Sequence, residues 1–487
     1  MPLRAKILNP ALAGNTSRPF ASSIHITEQP GDEPNDVLFN SHYGLRTITL
    51  NRPKKLNSLN GSMARKIIPR LQEWQKSQLA NVVVIKGEGR AFCAGGDVAA
   101  LATQNKQGAE GQQSSKDYFA LEYKLDHLIA TYTKPYVAFI DGITMGGGVG
   151  LSLHAPFRIA TENTVMAMPE TTIGFFPDVG ASFFLPRMDG DVGMYLALTS
   201  EQLKGVDVFW AGIATHYLHS SSLPDLEARL AELQFKDHDT MHERLRVIDR
   251  TIEEFCTGLP HDKHPSHSVI GGNTRSAIDY VFQPANSITE ILDALKGLHE
   301  GGTAPPEVQE WAGKTRKTIL QRSPTSVKVA VRQLREGAKW GIAKTFRKEF
   351  AIASRFMEHP DFVEGVSALL INKPKTTPKW SPASLEEVTD DTVRDFFDSG
   401  DAELELLPSA NEEGSHSYTN YPHAWVGLPR EREVREVVMR RNGIDSVEDV
   451  VRHFVEARGG KQGVKEKTEE IMERKVEVVD GRLGWKR

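Results

Sequence analysis

At 487 residues, with 39% hydrophobic and 25% charged side chains and a formal net charge of −5, the chain has material for a large core and for more than one domain. No uninterrupted apolar stretch reaches the roughly 18–20 residues of a membrane span, and the mildly acidic balance shows no surface built for nucleic acid, so neither a membrane span nor a DNA partner is expected. The two cysteines, Cys93 and Cys256, allow at most one bridge, and a chain this long needs no staple, which fits a reducing compartment.

Arg4, Lys6 and Arg18 lie among Ser, Thr and Asn, and no acidic residue precedes Glu28. That is the composition of a mitochondrial transit peptide, and Arg18-Pro-Phe-Ala-Ser22 resembles the matrix-processing pattern of an arginine two residues before a small-residue cut. Import into the mitochondrial matrix is expected, with residues 1–34 as transit peptide and disordered lead; a plain disordered tail is the other reading. Residues 46–50 alternate as a strand and run into a basic loop, Asn51-Arg-Pro-Lys-Lys-Leu-Asn-Ser-Leu-Asn60. Met63, Ile67, Leu71 and Trp74 then mark one face of a helix over 62–76, which Pro69 should kink or divide. A strand at 81–86 completes a strand–helix–strand crossover, the unit of an α/β fold.

Residues 104–115, rich in Gln, Gly and Ser, predict a mobile loop, after which 118–129 resume a helical pattern that carries Glu122. Residues 157–160 and 164–168 read as short strands, the second presenting Pro169 and Glu170. A turn-rich loop over 174–180 ends in a short helix through Phe184 and Leu185. Beyond about Leu223 the chain becomes more helical and more charged. His261, His264 and His267, with His299 farther on, lack Cys or carboxylate partners at ligand spacing, so a solvent loop and no metal are expected there. Ser323-Pro324 announces a helix by cap and first-position proline, with Val327, Val331 and Leu334 inward; Ile342, Phe346, Phe350, Ala353 and Met357 line the next.

Two stretches share one grammar, a β-branched strand emptying into consecutive glycines. They are Val82-Val-Val-Ile-Lys-Gly-Glu-Gly-Arg-Ala-Phe-Cys-Ala-Gly-Gly-Asp97 and Tyr136-Val-Ala-Phe-Ile-Asp-Gly-Ile-Thr-Met-Gly-Gly-Gly-Val-Gly150, the latter opening a helix. Glycines let a ligand lie against backbone N–H groups, and a helix start adds unpaired donors and partial positive charge, a setting that suits an oxygen gaining negative charge. A P-loop would need a following Lys-Ser/Thr, and a dinucleotide fingerprint would need its last glycine at Leu151; neither is present.

Arg90-Ala-Phe-Cys-Ala-Gly-Gly-Asp97 with Asp141-Gly-Ile-Thr-Met-Gly-Gly-Gly148 resembles the paired signatures of the crotonase (enoyl-CoA hydratase/isomerase) superfamily. Ala167-Met-Pro-Glu-Thr-Thr-Ile-Gly-Phe-Phe-Pro-Asp-Val-Gly180 resembles its 3-hydroxyisobutyryl-CoA hydrolase branch, and the similarity runs from about Val37 to about Leu406. The resemblance implies an α/β fold: a ββα spiral core forming two nearly perpendicular sheets over residues 35–225, a helical C-terminal part over 226–406, and an extra extension over 407–487. Asp361-Phe-Val-Glu-Gly-Val-Ser-Ala-Leu-Leu-Ile371 and Lys379-Trp-Ser-Pro382 match the family's closing segment, which covers the substrate pocket. The extension, with its apolar ribbon Tyr421-Pro-His-Ala-Trp-Val-Gly-Leu-Pro429, is either a solvated appendage docked by its aromatics or a partner-binding element.

By the same resemblance the N–H groups of Gly96 and Gly147 form an oxyanion hole, with Gly95 beside them, and Glu170 is the reacting carboxylate. Asp178 would bind the 3-hydroxyl of the acyl group or share proton transfer, and Glu122 would line the pocket. A structural pairing of Glu170 with an arginine such as Arg158 is the competing reading. Lys54 and Lys55 would face the phosphates of coenzyme A, which belongs to the substrate, so no separate cofactor is implied. A hydratase of this family places its first glutamate two residues after the triple glycine, where this chain has Gly150. Hydration by the usual pair of glutamates is therefore not expected, an enoyl-CoA hydratase being the lesser alternative, and the resemblance to the hydrolase branch implies hydrolysis of (S)-3-hydroxyisobutyryl-CoA in valine breakdown. Attack by Glu170 to give a mixed anhydride and activation of water by Glu170 both stay open. Some members of this branch are constituents of the small subunit of the mitochondrial ribosome, which makes that particle the competing partner, although the net charge of −5 argues against extensive phosphate contact. Subunit number is not legible, so a homo-oligomer stays open.

Overall fold

The computed structural model describes residues 26–398, 403–408, 417–440, 446–479 and 482–486; of the transit peptide and disordered lead expected over 1–34, residues 1–25 lie outside them. Ten short strands build two sheets. The larger contains β1 (Val37–His42), β2 (Leu45–Leu50), β3 (Val82–Gly87), β5 (Tyr136–Phe139), β7 (Phe157–Ala160) and β10 (His216–Tyr217) in that order, parallel except for the β1–β2 hairpin. The smaller contains β4 (Ala91–Cys93), β6 (Ile143–Met145), β8 (Val165–Ala167) and β9 (Leu203–Lys204), with only β9 antiparallel.

Consecutive strands alternate between the two sheets: β3 then β4, β5 then β6, β7 then β8. The run Val82–Ile85 is fully buried on both faces, as a central parallel strand must be. Each change of sheet needs a tight corner, and Gly142, at φ +90°, shows why the corner is glycine: an added Cβ would lie 2.4 Å from the carbonyl oxygen of Arg90.

Helix α1 (Gly61–Lys76) starts at Asn60, whose side chain accepts the Met63 N–H, and runs through Pro69 without division. Ile67, Ile68 and Leu71 around the proline are fully buried, and that burial offsets the roughly 3 kcal/mol a helix-interior proline costs. The mobile loop expected over 104–115 is a correction. Helices α2 (Val98–Asn105) and α3 (Ala109–Ala130) occupy the segment, and only residues 106–108 connect them. Its polar composition serves packing: the Ser115 hydroxyl donates to Asn105 Oδ1 at 2.7 Å, Asn105 Nδ2 donates to the Met357 carbonyl at 3.0 Å, and Gly111 lies against the Gln104 carbonyl.

The lead from Ile26 is tied to α1: Asp32 pairs with Arg65, and Lys66, itself buried, pairs with Asp36 at 2.6 Å. At the other end, helix Pro324–Gly337 begins where the Ser323 hydroxyl accepts the Ser326 N–H, and helix Ile342–Glu358 packs along α3. Helix Pro360–Val366 closes on the turn after β8 so tightly that a Cβ on Gly174 would meet the Asp361 carbonyl at 2.1 Å.

The described part of the extension is more than an appendage held by aromatics. Leu428, Val434, Val438, Val450, Phe454, Val464 and Ile471 join the main core. Two ion clusters add to this. Buried Lys461 donates to Glu253 at 2.9 Å, to Asp249 at 3.2 Å and to Nε2 of His216 on β10, whose Nδ1 lies 3.0 Å from the Thr215 hydroxyl. Arg474 and Lys475 meet Glu431, Glu470 and Asp279. Replacing Lys461→Ala leaves two carboxylates facing a buried gap. Because each keeps about a fifth of its surface in water, the expected loss is about 2–3 kcal/mol, below the usual cost of breaking a buried pair, and urea unfolding measures it.

Candidate active site

The site follows from strand order. β4, β6 and β8 are parallel neighbours, so their C-terminal ends lie side by side and deliver three turns to one edge. β4 leads into Gly95 and Gly96, β6 into Gly146, Gly147 and Gly148, and β8 into Pro169 and the short 3₁₀ turn Glu170–Ile173. The first turn is pinned by Leu59, whose N–H donates to the Gly95 carbonyl and whose carbonyl accepts the Asp97 N–H, both at 2.8 Å. The second is pinned by the Val149 N–H donating to Gly146 O at 2.7 Å as helix α4 (Gly147–Leu153) begins. Among the described residues, neither the Gly96 nor the Gly147 N–H donates to a backbone carbonyl in these turns, which leaves both for a ligand.

Crowding there fixes residue type. A Cβ on Gly147 would lie 2.4 Å from Glu122 Oε1 and 3.4 Å from the Gly96 nitrogen, one on Gly148 would strike the Cys93 carbonyl at 2.1 Å, and one on Gly146 would lie 3.0 Å from Glu170 Oε1. The two glycine turns and the Glu170 carboxylate therefore touch. They line a cavity of about 400 Å³ with Gly95, Glu122 and Asp178, walled by Phe119 and Phe175. Leu369 and Leu370, from the π-helical turn Ser367–Ile371, complete it where the closing segment was expected.

Four carboxyl groups share this edge, and burial dominates them. Glu170 and Glu122 are held well above the ordinary carboxylate range by loss of water, and the neighbouring Asp178 charge adds to both shifts. Glu170 Oε2 and Glu122 Oε1 are buried without hydrogen-bond partners among the described residues. Asp178 is pushed up only to about 7, because the Tyr123 hydroxyl donates to its Oδ2 at 2.7 Å and favours the ionised form. Asp126, one turn beyond Glu122 on α3, is also held well above the usual range by burial. Arg158 is not paired with Glu170; it donates to the carbonyls of Ala155 and Ile213 and to the Tyr421 hydroxyl.

Of the residues singled out in the sequence, Gly95, Gly96, Gly147, Glu122, Glu170 and Asp178 meet in this cavity. Lys55 lies outside it on an adjoining groove that shares Leu101 and Tyr118 with it and also carries Arg52, Arg65 and Lys124. Lys55 pairs there with Asp97 at 3.2 Å, while Lys54, in the same 3₁₀ turn Pro53–Lys55, is exposed and does not line the groove. Sequence reading missed Tyr123, Asp126 and Glu349. Glu349 reaches across from helix Ile342–Glu358 to accept the Gly180 and Ser182 N–H groups at 2.7 and 2.9 Å and the Ser182 hydroxyl at 2.6 Å, holding the loop that carries Asp178. Nothing local marks it, since its partners lie about 170 residues away; Tyr123 and Asp126 at least stand on the same helix as Glu122. Cys93 is free, and burial pushes its thiol up to about 12. Among the described residues no group of His, Cys, Asp and Glu is arranged to hold a metal.

Alternating strands in two sheets, with paired glycine turns at one edge, define an α/β scaffold of the crotonase type, and the chain belongs to the enoyl-CoA hydratase/isomerase family, whose pattern it matches over residues 45–397. It is 56% identical over 478 residues to the small ribosomal subunit protein mS47 of Neurospora crassa, covering 97% of this chain and 91% of that one. To the mitochondrial 3-hydroxyisobutyryl-CoA hydrolase of Gallus gallus it is 44% identical over 367 residues, covering 75% of this chain and 89% of that one. Among solved structures, a carnitinyl-CoA dehydratase from Mycobacterium thermoresistibile superposes with a TM-score of 0.65 at 33% identity, covering 76% of this chain and 99% of that one.

The Tyr123–Asp178 hydrogen bond gives a direct test. An NMR titration with labelled Asp carboxyls should find an Asp178 signal moving near pH 7, and Tyr123→Phe should move it to higher pH because the bond to the ionised form is gone.

Proposed function

We propose that the chain hydrolyses the thioester of (S)-3-hydroxyisobutyryl-CoA to 3-hydroxyisobutyrate and coenzyme A, in the mitochondrial matrix, as a step of valine breakdown. The observation that carries this reading is the meeting of Gly96, Gly147, Glu170 and Asp178 around one small, largely apolar cavity. A thioester carbonyl under attack places negative charge on its oxygen, and two main-chain donors fixed beforehand stabilise it; each such donor is worth on the order of 3 kcal/mol. Glu170 stands across from them as nucleophile or as base toward water. Asp178, which lines the same cavity, is the second carboxylate and would take the 3-hydroxyl. Gly150 supports hydrolysis over hydration, since the position of a hydratase's first glutamate is hemmed in: a Cβ there would lie 2.6 Å from Asp126 Oδ2 and 2.8 Å from Val179 Cβ. Coenzyme A enters as part of the substrate, and the groove beside Lys55 is the path proposed for its phosphates.

Glu170 must lose its proton to act in either mechanism. Since burial holds that proton on above the usual carboxylate range, kcat/KM with the 3-hydroxyisobutyryl thioester should rise with pH, with its midpoint above that of an exposed carboxyl. Glu170→Gln should keep the fold and lower kcat by about 10²–10⁴-fold. Free-thiol release by the two proteins between pH 5.5 and 8.5 checks both statements, and hydration of crotonyl-CoA without thiol release defeats the proposal. Labelled water oxygen found in the Glu170 carboxylate after one turnover identifies the anhydride route.

A second reading, compatible with retained activity, is favoured by a specific observation. The match to the Neurospora crassa ribosomal protein runs over 97% of this chain and so takes in the extension, whereas the match to the Gallus gallus hydrolase covers 75%. We propose that the chain also joins the small subunit of the mitochondrial ribosome. Tagged full-length protein should then sediment with small subunits in a sucrose gradient; recovery only in the soluble top fractions excludes it.

A further inference from the structure

Helix α4 begins at the acyl cavity, and its far end, Leu153 and His154, reaches a second cavity of about 70 Å³ on the opposite side, where the extension meets the core. Arg158 and Arg187 face it from the core, and Tyr421, His423 and Arg430 from the extension.

The charges around this cavity do not balance. Arg158 is buried, and its bonds all go to neutral acceptors, the carbonyls of Ala155 and Ile213 and the hydroxyl of Tyr421; among the described residues its Nη2 has no partner. Arg187 donates only to the carbonyls of Phe183, Gly337, Ala338 and Trp340. The Arg430 side chain makes no hydrogen bond or ion pair among the described residues, although its backbone N–H donates to Glu433, which is itself paired with Arg458. Among those residues no carboxylate lies within 4.0 Å of any of the three guanidinium groups. The acid on the cavity wall, Asp189, is engaged by Lys467 at 3.9 Å. Carbonyl dipoles, and the rings of Tyr421 and Phe183 over which Arg158 and Arg187 lie, stabilise the guanidinium groups but cancel no net charge, so three like charges around a small cavity leave a positive potential there. Nor do the aromatic groups supply an anion: burial keeps the Tyr418 and Tyr421 hydroxyls protonated, and His154 and His423, lowered to about 4, are neutral.

We propose that this cavity binds a small oxyanion of phosphate size, held between the guanidinium groups of Arg158 and Arg430. The planar forks of arginine suit paired oxygens, and a phosphate carries enough charge at neutral pH to offset most of the imbalance. Because one arginine belongs to the core and the other to the extension, the bound anion bridges the two and strengthens their docking. The site is separate from the acyl cavity and independent of which thioester, if any, the chain cleaves.

Thermal unfolding of the full chain tests it, with 10 mM inorganic phosphate compared against sodium chloride at equal ionic strength. An anion that binds only the folded state with a Kd of about 0.1 mM should raise Tm by about 2–3 °C. Arg430→Gln, which removes one of the repelling charges and no structural bond, should be at least as stable as the wild type in chloride and lose the rise in phosphate, while Arg432→Gln, exposed nearby, should keep it. Equal Tm in phosphate and chloride overturns the proposal. So does an undiminished rise in Arg430→Gln, which would place the phosphate elsewhere, or an equal rise with acetate, which would show that the site does not select an ion of phosphate size and charge.

Discussion

The parallel adjacency of β4, β6 and β8 is the constraint on which the site depends. Parallel neighbours end together, so the turn leaving each strand comes within contact of the turn leaving its neighbour. Two of the three strands empty into glycine turns and the third into Pro169 and Glu170. The strands are only three residues long, and their hydrogen bonds alone would not hold such turns to a fraction of an ångström. Precision comes from outside the strands: Leu59 clamps the first turn from both sides, α4 caps the second, and helix Pro360–Val366 presses on the third.

Burial then sets the chemistry. An exposed carboxyl is well solvated and ionised at neutral pH; under Phe119, Phe175 and the π-helical turn, loss of water holds the Glu170 carboxyl well above the ordinary carboxylate range. Glu170, Glu122, Asp126 and Asp178 share this low-dielectric edge, so ionising one makes the next harder to ionise. Tyr123 distinguishes Asp178 from the rest by one hydrogen bond. Placing carboxyl groups this close is costly for the fold, and the large core, continuous from α1 to the extension, offsets it.

The extension shows how an added segment becomes part of a core. Its aliphatic side chains continue the main cluster, and its cations Lys461, Arg474 and Lys475 reach Asp249, Glu253 and Asp279 on the preceding helices. Arg158 is the hinge between the two parts. It leaves β7 as an ordinary buried strand residue, yet it binds Tyr421 from the extension instead of any carboxylate. The same contact that docks the extension leaves the arginine's charge uncancelled.

Much of this was legible in the chain itself. Glycine runs after β-branched strands can do little but turn, so the paired signatures marked both turns and, by resemblance, the family with Gly96 and Gly147, while the separate stretch over 167–180 pointed by resemblance to Glu170 and Asp178. Cap chemistry is equally local, which is why Ser323-Pro324 opened its helix where expected. Composition failed where tertiary contacts override it: the Gln-, Gly- and Ser-rich run at 104–115 is helical because Asn105, Gly111 and Ser115 each answer to a neighbour far away or across a turn. Tertiary structure alone decided that Glu349 would hold the Asp178 loop, that Lys55 and not Lys54 would line the groove, and that Arg158 would face the extension. Those outcomes depend on distances between residues far apart in sequence, and one-dimensional spacing carries no information about them.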